Sequence, residues 1–242
     1  MAEPAAAPRT RNAEASINGN KAETLVCTQA NVKAALEAHF GKPIRSITLV
    51  DKEKASAAGE RMIKKKSDVR AHFEDGTVAL FQIKTGDGGG RGHSVDRRPV
   101  TRLTTLEDLH RLLTTVCLTK SKTDARAVIP KVTSEECLDS CLLLGTRPEF
   151  RPDYFLHTAL TGDREKTISK LSIIPAPTLR RALVDSLYDT MLVKRTCVHL
   201  SPYLYFQRKG GGMTDSRPDD IQLKMPLKDI FTLFTVLPLV TV

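Results

Sequence analysis

The chain has 242 residues, 37 Lys and Arg against 28 Asp and Glu, a net charge of +9, and 40% hydrophobic residues. That is enough apolar material for a packed core and enough positive charge to point to a polyanionic partner, nucleic acid being the commonest. Aromatic residues make up only 5% of the chain and Trp is absent, which disfavours an RNA-binding module that stacks bases on aromatic platforms. The longest apolar run, "IFTLFTVLPLV" near the C-terminus, is about half of what a membrane-spanning helix needs and reads as a buried strand or helix, so no membrane partner is expected.

The opening residues 1–16, rich in Ala, Pro and Arg, read as a disordered tail, and "MAEPAAAPRTRN" is too short and too polar for a signal peptide. "NGNKAETLVCTQANVKAALEAHF" predicts a helix. Asn20 and Glu23 are spaced as a capping box, and Leu25, Val26, Val32, Ala35 and Leu36 form its apolar stripe. "SITLV" predicts a short strand, and "DKEKASAAGERMIKKK" a charged connection. Helices are expected at "TLEDLHRLLTTVCL", at "SEECLDSCLLLG" with Gly145 closing it, and at "TLRRALVDSLYDTML". "VKRTCVHL", "YLYFQRK" and "DIQLKM" predict strands. With no linker after residue 16, residues 17–242 read as one α/β domain. Its core spans about 17–120, and a helical, recognition part about 121–242. The five cysteines (27, 117, 137, 141 and 197) are odd in number and form no CxxC, so they read as reduced thiols of an intracellular protein rather than a zinc site or disulfide framework.

The stretch "SDVRAHFEDGTVALFQIK", residues 67–84, predicts a tight hairpin. Glu74-Asp75-Gly76 forms a three-residue loop with Gly76 in the left-handed conformation. Counting back from that loop pairs His72 with Val78, Ala71 with Ala79, Val69 with Phe81, and Asp68 with Gln82. Cross-strand partners share a face, so Asp68, Gln82 and Lys84 emerge together, opposite Val69, Ala71, Phe81 and Ile83. A two-residue loop would put Asp68 on the wrong side. A carboxylate and an amide oxygen can hold a hard cation such as Mg²⁺, and a lysine beside them can orient or deprotonate a water or steady a phosphoryl oxygen. The same trio also suits an ordinary polar hairpin face.

An Asp followed one hairpin later by (Glu/Gln)-x-Lys, here Asp68 with Gln82-Ile83-Lys84, resembles the active-site pattern of the PD-(D/E)xK nuclease superfamily. Ser67 stands where the superfamily name has Pro. Gln82 replaces the commoner Glu and removes one negative charge. Residues 200–231 are similar to the C-terminal segment of type II restriction endonucleases that cut short GC-rich palindromes such as GCGC or CCGG. They carry Ser201-Pro202, Gln207-Arg208-Lys209-Gly210-Gly211 and Gln222-Leu223-Lys224.

This resemblance implies a central mixed sheet flanked by helices, with a C-terminal recognition segment. It implies a Mg²⁺-dependent endonuclease acting on double-stranded DNA and leaving a 5′-phosphate. Asp68 would be the central metal ligand, Gln82 a second or water-mediated ligand, and Lys84 the residue that positions the attacking water. Glu23 is either an acidic helix residue near the metals or a helix cap.

Gln207 and Arg208 suit base-edge readout, and Lys209 either bases or phosphates. Lys224 and Arg217 suit phosphate contacts. In the Gly-rich loop "GDGGGRGHSVDRRP" the residues Arg91, His93, Ser94, Arg97 and Arg98 are placed to touch DNA, and Lys66 closes a basic run adjoining Asp68. A palindrome has two strands to cut, which a homodimer does naturally and a monomer by sequential nicking. The other readings are a DNA-binding protein without catalysis and a structure-specific repair nuclease on the same core.

Overall fold

The computed structural model describes residues 11–50, 66–86, 93–104, 106–119, 128–144, 148–162, 165–208, 220–225 and 230–239, with side chains from residue 17 onward except at His93 and Phe231. Eleven strands among them form two sheets. The first is six-stranded. It comprises β1 (Ile44–Leu49), β2 (Val69–Phe73), β3 (Val78–Thr85), β5 (Tyr154–Thr161), β6 (Thr167–Pro175) and β11 (Thr235–Leu237), in that spatial order. Its β3–β5 pair is parallel and the others are antiparallel, so it is a mixed sheet. The second sheet is antiparallel and five-stranded. It orders β4 (His93–Pro99), β10 (Asp220–Met225), β9 (Leu204–Arg208), β8 (Cys197–Ser201) and β7 (Leu192–Lys194).

Helices α1 (Arg11–Thr28) and α2 (Ala30–Phe40) cover one face of the six-stranded sheet. There Ala22, Val26, Val32 and Leu36 meet Val69, Phe81, Leu156 and Leu171. On the other side, Phe155 and Ile174 join a second core built from α3 (Glu107–Leu113), α4 (Lys131–Asp139), α5 (Ala176–Asp185) and the inner face of the five-stranded sheet. The architecture is therefore the expected mixed α/β one, a central mixed sheet flanked by helices. Both sheets draw strands from before and after residue 120.

The hairpin forms in the register counted from its loop. Val69 pairs with Phe81, Ala71 with Ala79 and His72 with Val78. Gly76 has φ 82°, the left-handed value that glycine adopts at no steric cost. The Asp75 carboxylate accepts from Thr77 N at 2.9 Å, closing an Asx turn inside the loop.

Several elements differ from expectation. The first helix starts at Arg11, inside the segment read as a tail, so Asn20 and Glu23 are interior residues and form no capping box. The chain breaks at Gln29 (ψ 120°) into α2, which Gly41 terminates at φ 65°. Lys131–Asp139 and Glu107–Leu113 continue as π-helical turns through Leu144 and Leu118. The helix expected over 178–192 starts at Ala176, just after Pro175, and stops at Asp185. "VKRTCVHL" is a hairpin, not one strand, turning at Arg195 with φ 58°. Residues 93–99, read as loop, form β4. The "IFTLFTVLPLV" run holds a 3₁₀ turn (Phe231–Leu233) and the short β11. No helix among the described residues is long and apolar enough to cross a membrane. All five cysteines are free thiols, and burial raises Cys117 and Cys137 to about 12.

Candidate active site

Asp68 lies one residue before β2, and its backbone N–H donates at 2.8 Å to the carbonyl of Phe81, the residue with which Val69 pairs, so the ladder is irregular at this step. Asp68 meets β3 at Phe81 and at Ile83, on either side of Gln82. Its carboxylate Oδ2 accepts from Ile83 N at 2.7 Å. A charged acceptor on a backbone N–H is a strong hydrogen bond, and it fixes the carboxylate against the strand that carries Gln82 and Lys84. Ser67 holds the approach to the site: its Oγ donates to Phe150 O at 2.7 Å and its N–H to the same oxygen at 3.1 Å.

Gln82 is buried, at 5% exposure, and its Oε1 has no hydrogen-bond partner. A buried amide oxygen left unsatisfied costs about 1–3 kcal/mol, so this atom awaits something that donates to it or coordinates with it. Across the parallel β3–β5 pair Gln82 stands beside Phe155, and Lys84 beside the buried His157. Phe81 and Ile83 turn to the α1–α2 core instead.

The Lys84 ammonium donates to Ser94 O on β4 at 3.3 Å. Burial pushes its pKa below the usual lysine range. Asp68, Asp96 and Glu23 oppose that shift and Lys66 adds to it. Glu23, half-buried in the interior of α1, is among the charges whose field acts on Lys84.

The donors gathered here are oxygens, the Asp68 carboxylate and the orphaned Gln82 amide, and they fit a hard divalent cation rather than a thiophilic one. No group of three or more His, Cys, Asp or Glu side chains placed to hold a metal is found among the described residues.

Lys66, expected to reach phosphate, is only 4% exposed, and its Nζ sits 3.0 Å from Asp96 Oδ1. Arg98 Nε binds the other oxygen of the same carboxylate. The Arg98 guanidinium goes on to Ser140 Oγ and Ser140 O, each at 3.1 Å. A buried ammonium needs an anion beside it, and Asp96 supplies one at the expense of exposure. Sequence reading missed Asp96: with β4 read as loop, nothing in "HSVDRRP" signalled an inward-facing acid.

The second sheet separates residues that are adjacent in sequence. Gln207 pairs with Gln222, which pairs with Arg97, giving one cross-strand row. Arg208 belongs to the next row, with Ile221 and Arg98, on the core-facing side, and its Nε is buried without a hydrogen-bond partner. Arg97 Nε lies 3.5 Å from Asp220 Oδ2. Ser94 is exposed and pairs with the half-buried Lys224, whose pKa burial lowers. His93 opens β4. Arg91, Lys209, Arg217 and Gly145 lie outside the described residues.

No family model matches the chain, and no curated protein matches it. Among solved structures it is similar to the restriction endonuclease MspI in complex with its cognate DNA. The identity is 14%, 89% of this chain and 80% of that chain are covered, and the TM-score is 0.42.

Proposed function

We propose that the protein is a Mg²⁺-dependent endonuclease that hydrolyses double-stranded DNA at a short GC-rich palindrome. The observation that carries this reading is the trio itself. The Asp68 carboxylate is fixed on the N–H of Ile83, between Gln82 and Lys84; Gln82 carries a buried amide oxygen with no hydrogen-bond partner, and burial destabilises the charge of Lys84.

Asp68 and Gln82 would hold the cation. When bound, it supplies Lewis acidity and neutralises charge that builds on the scissile phosphate. Lys84, its ammonium directed by Ser94 O, orients a water for in-line attack, and its lowered pKa moves the amine toward the form that can accept the water's proton. The water oxygen bonds to phosphorus as one of its protons passes to Lys84, the bond to the 3′ oxygen breaks, and that oxygen takes a proton from solvent, giving a 5′-phosphate and a 3′-hydroxyl. Glu23 adds negative charge beside Lys84. The row of Arg97, Gln222 and Gln207 offers guanidinium and amide groups of the kind that read base edges, and a homodimer would present two such sites to a palindrome.

The test is digestion of methylation-free plasmid DNA with and without Mg²⁺, beside Lys84→Ala, with the fragment ends sequenced. Discrete Mg²⁺-dependent fragments sharing one short GC-rich motif, absent with the variant, are expected. Tight DNA binding without cleavage would favour the non-catalytic reading, to which the neutral Gln82 lends support. Cleavage without a common motif would favour a structure-specific nuclease.

A further inference from the structure

The five-stranded sheet reaches the candidate active site through two contacts on β4. Ser94 offers its carbonyl to the Lys84 ammonium at 3.3 Å. Two residues on, Asp96 is buried at 6% exposure, with Lys66 Nζ on one carboxylate oxygen and Arg98 Nε on the other. Lys66 is two residues before Asp68, so this single carboxylate joins the segment that delivers the metal-ligand candidate to the strand that directs the lysine. Ser94 Oγ also donates to Asp96 O at 3.2 Å, tying the two β4 residues together. Arg98 anchors the assembly to the turn after α4 through Ser140.

Stability alone accounts poorly for such an arrangement. Taking a carboxylate and two cations out of water is costly, and apolar residues of similar volume often stabilise as well or better. Asp96 and Arg98 stand in the same cross-strand rows as Leu223 and Ile221, where an apolar side chain would pack directly into the core. What the charged triad adds is fixed geometry at the junction of the two sheets.

Resting on the nuclease reading above, we infer that Asp96 is a positioning residue: through Lys66 and Arg98 it sets where the Ser94 carbonyl meets Lys84, and so couples the second sheet to the hydrolytic centre. Its two carboxylate oxygens are engaged by Lys66 and Arg98. A displacement of about 1 Å at a reacting group can lower a rate by as much as 100-fold, so the effect belongs in the chemical step.

The experiment is single-turnover cleavage of supercoiled, methylation-free plasmid with Mg²⁺ by wild type and Asp96→Asn, at increasing enzyme concentration. DNA affinity is measured separately in EDTA, and folding by circular dichroism. The saturating rate is expected to fall between about 10- and 100-fold. Half-saturation and EDTA affinity should stay within about threefold of wild type, which a mere loss of folded protein would not produce. If Asp96→Asn does not fold, Lys66→Met takes its place, because it leaves Asp96 matched one to one by Arg98, and the same split is required of it. A wild-type saturating rate in the folded variant overturns the proposal, as does a parallel loss of rate and DNA affinity. A wild-type protein that cleaves nothing removes the nuclease reading itself, and the proposal with it.

Discussion

The amide N–H of Ile83 donates to Asp68 Oδ2 across 2.7 Å, so the carboxylate of one strand is fastened to the residue lying between Gln82 and Lys84 on the next. The bond makes Asp68 both a structural acceptor and a candidate ligand, and the two roles separate by mutation. Asp68→Asn keeps an acceptor oxygen and loses the charge. Its thermal midpoint should stay close to wild type while plasmid cleavage falls by roughly two orders of magnitude or more. Asp68→Leu loses both, leaves the Ile83 N–H unsatisfied, and should cost about 1–3 kcal/mol in urea unfolding as well as activity.

Gln82 gives a prediction of opposite sign. Gln82→Glu restores a second carboxylate beside Asp68, and should lower the Mg²⁺ concentration needed for half-maximal cleavage. Gln82→Leu removes the orphaned oxygen at a buried position; it should fold at least as stably as wild type and demand more Mg²⁺. A Mg²⁺ titration of the three proteins, with melting curves alongside, decides it. Equal half-saturation in all three would remove Gln82 from the metal site.

Gln207 and Arg208 should behave differently despite being neighbours, because β9 sends them to opposite faces of its sheet. Gln207→Ala, in the row with Gln222 and Arg97, is expected to relax sequence preference at one position of the site. Such a change is worth about 1–3 kcal/mol of discrimination. Arg208→Ala, in the row with Ile221 and Arg98, should lower the melting temperature more than Gln207→Ala and leave the preference intact. Cleavage of a randomised duplex library, sequenced at the cut ends, separates them.

The hairpin carries its own pH signature. Thr77, through its hydroxyl and then its N–H, together with Lys42, holds the Asp75 carboxyl down to about 2. Its folded pKa thus lies below the unfolded value of about 3.9, and its contribution is complete above that value. It is lost as the pH falls toward 2. Asp75→Asn should lower stability at neutral pH by that contribution and flatten the acid limb. The Gly76 and Thr77 amide resonances, followed by NMR from pH 6 to pH 2, report it directly.

The hairpin could be read in advance because its signals are local. Asp75-Gly76 selects the turn, and the alternation of Val69, Ala71, Ala79, Phe81 and Ile83 selects the face. Elements set by distant contacts were less legible. The strands at 154–161 and 167–175 contribute to cores on both sides of their sheet, so Phe155 and Leu156 are consecutive and buried and no alternation marks them. The segment 93–99 is a strand because β10 pairs with it from more than a hundred residues away. Lys66 reads as the end of a phosphate-steering basic run, and the acid that draws it inward lies on that unread strand. The sequence between Asn20 and Glu23 mimics a helix start, yet the helix began at Arg11, where no apolar stripe announces it.

The order of strands has a consequence for how the chain is assembled. β4 follows β3 in sequence but belongs to the other sheet, while β5, β6 and finally β11 return to the first. The two sheets are therefore interleaved along the chain, and no single cut leaves each with its own strands. Neither half can serve as an independent module to be grafted onto another protein. Chain closure over such separations also slows folding, so the candidate active site, whose Asp68 precedes β2 and whose Lys84 and Ser94 lie on β3 and β4 of different sheets, completes only as both sheets form together.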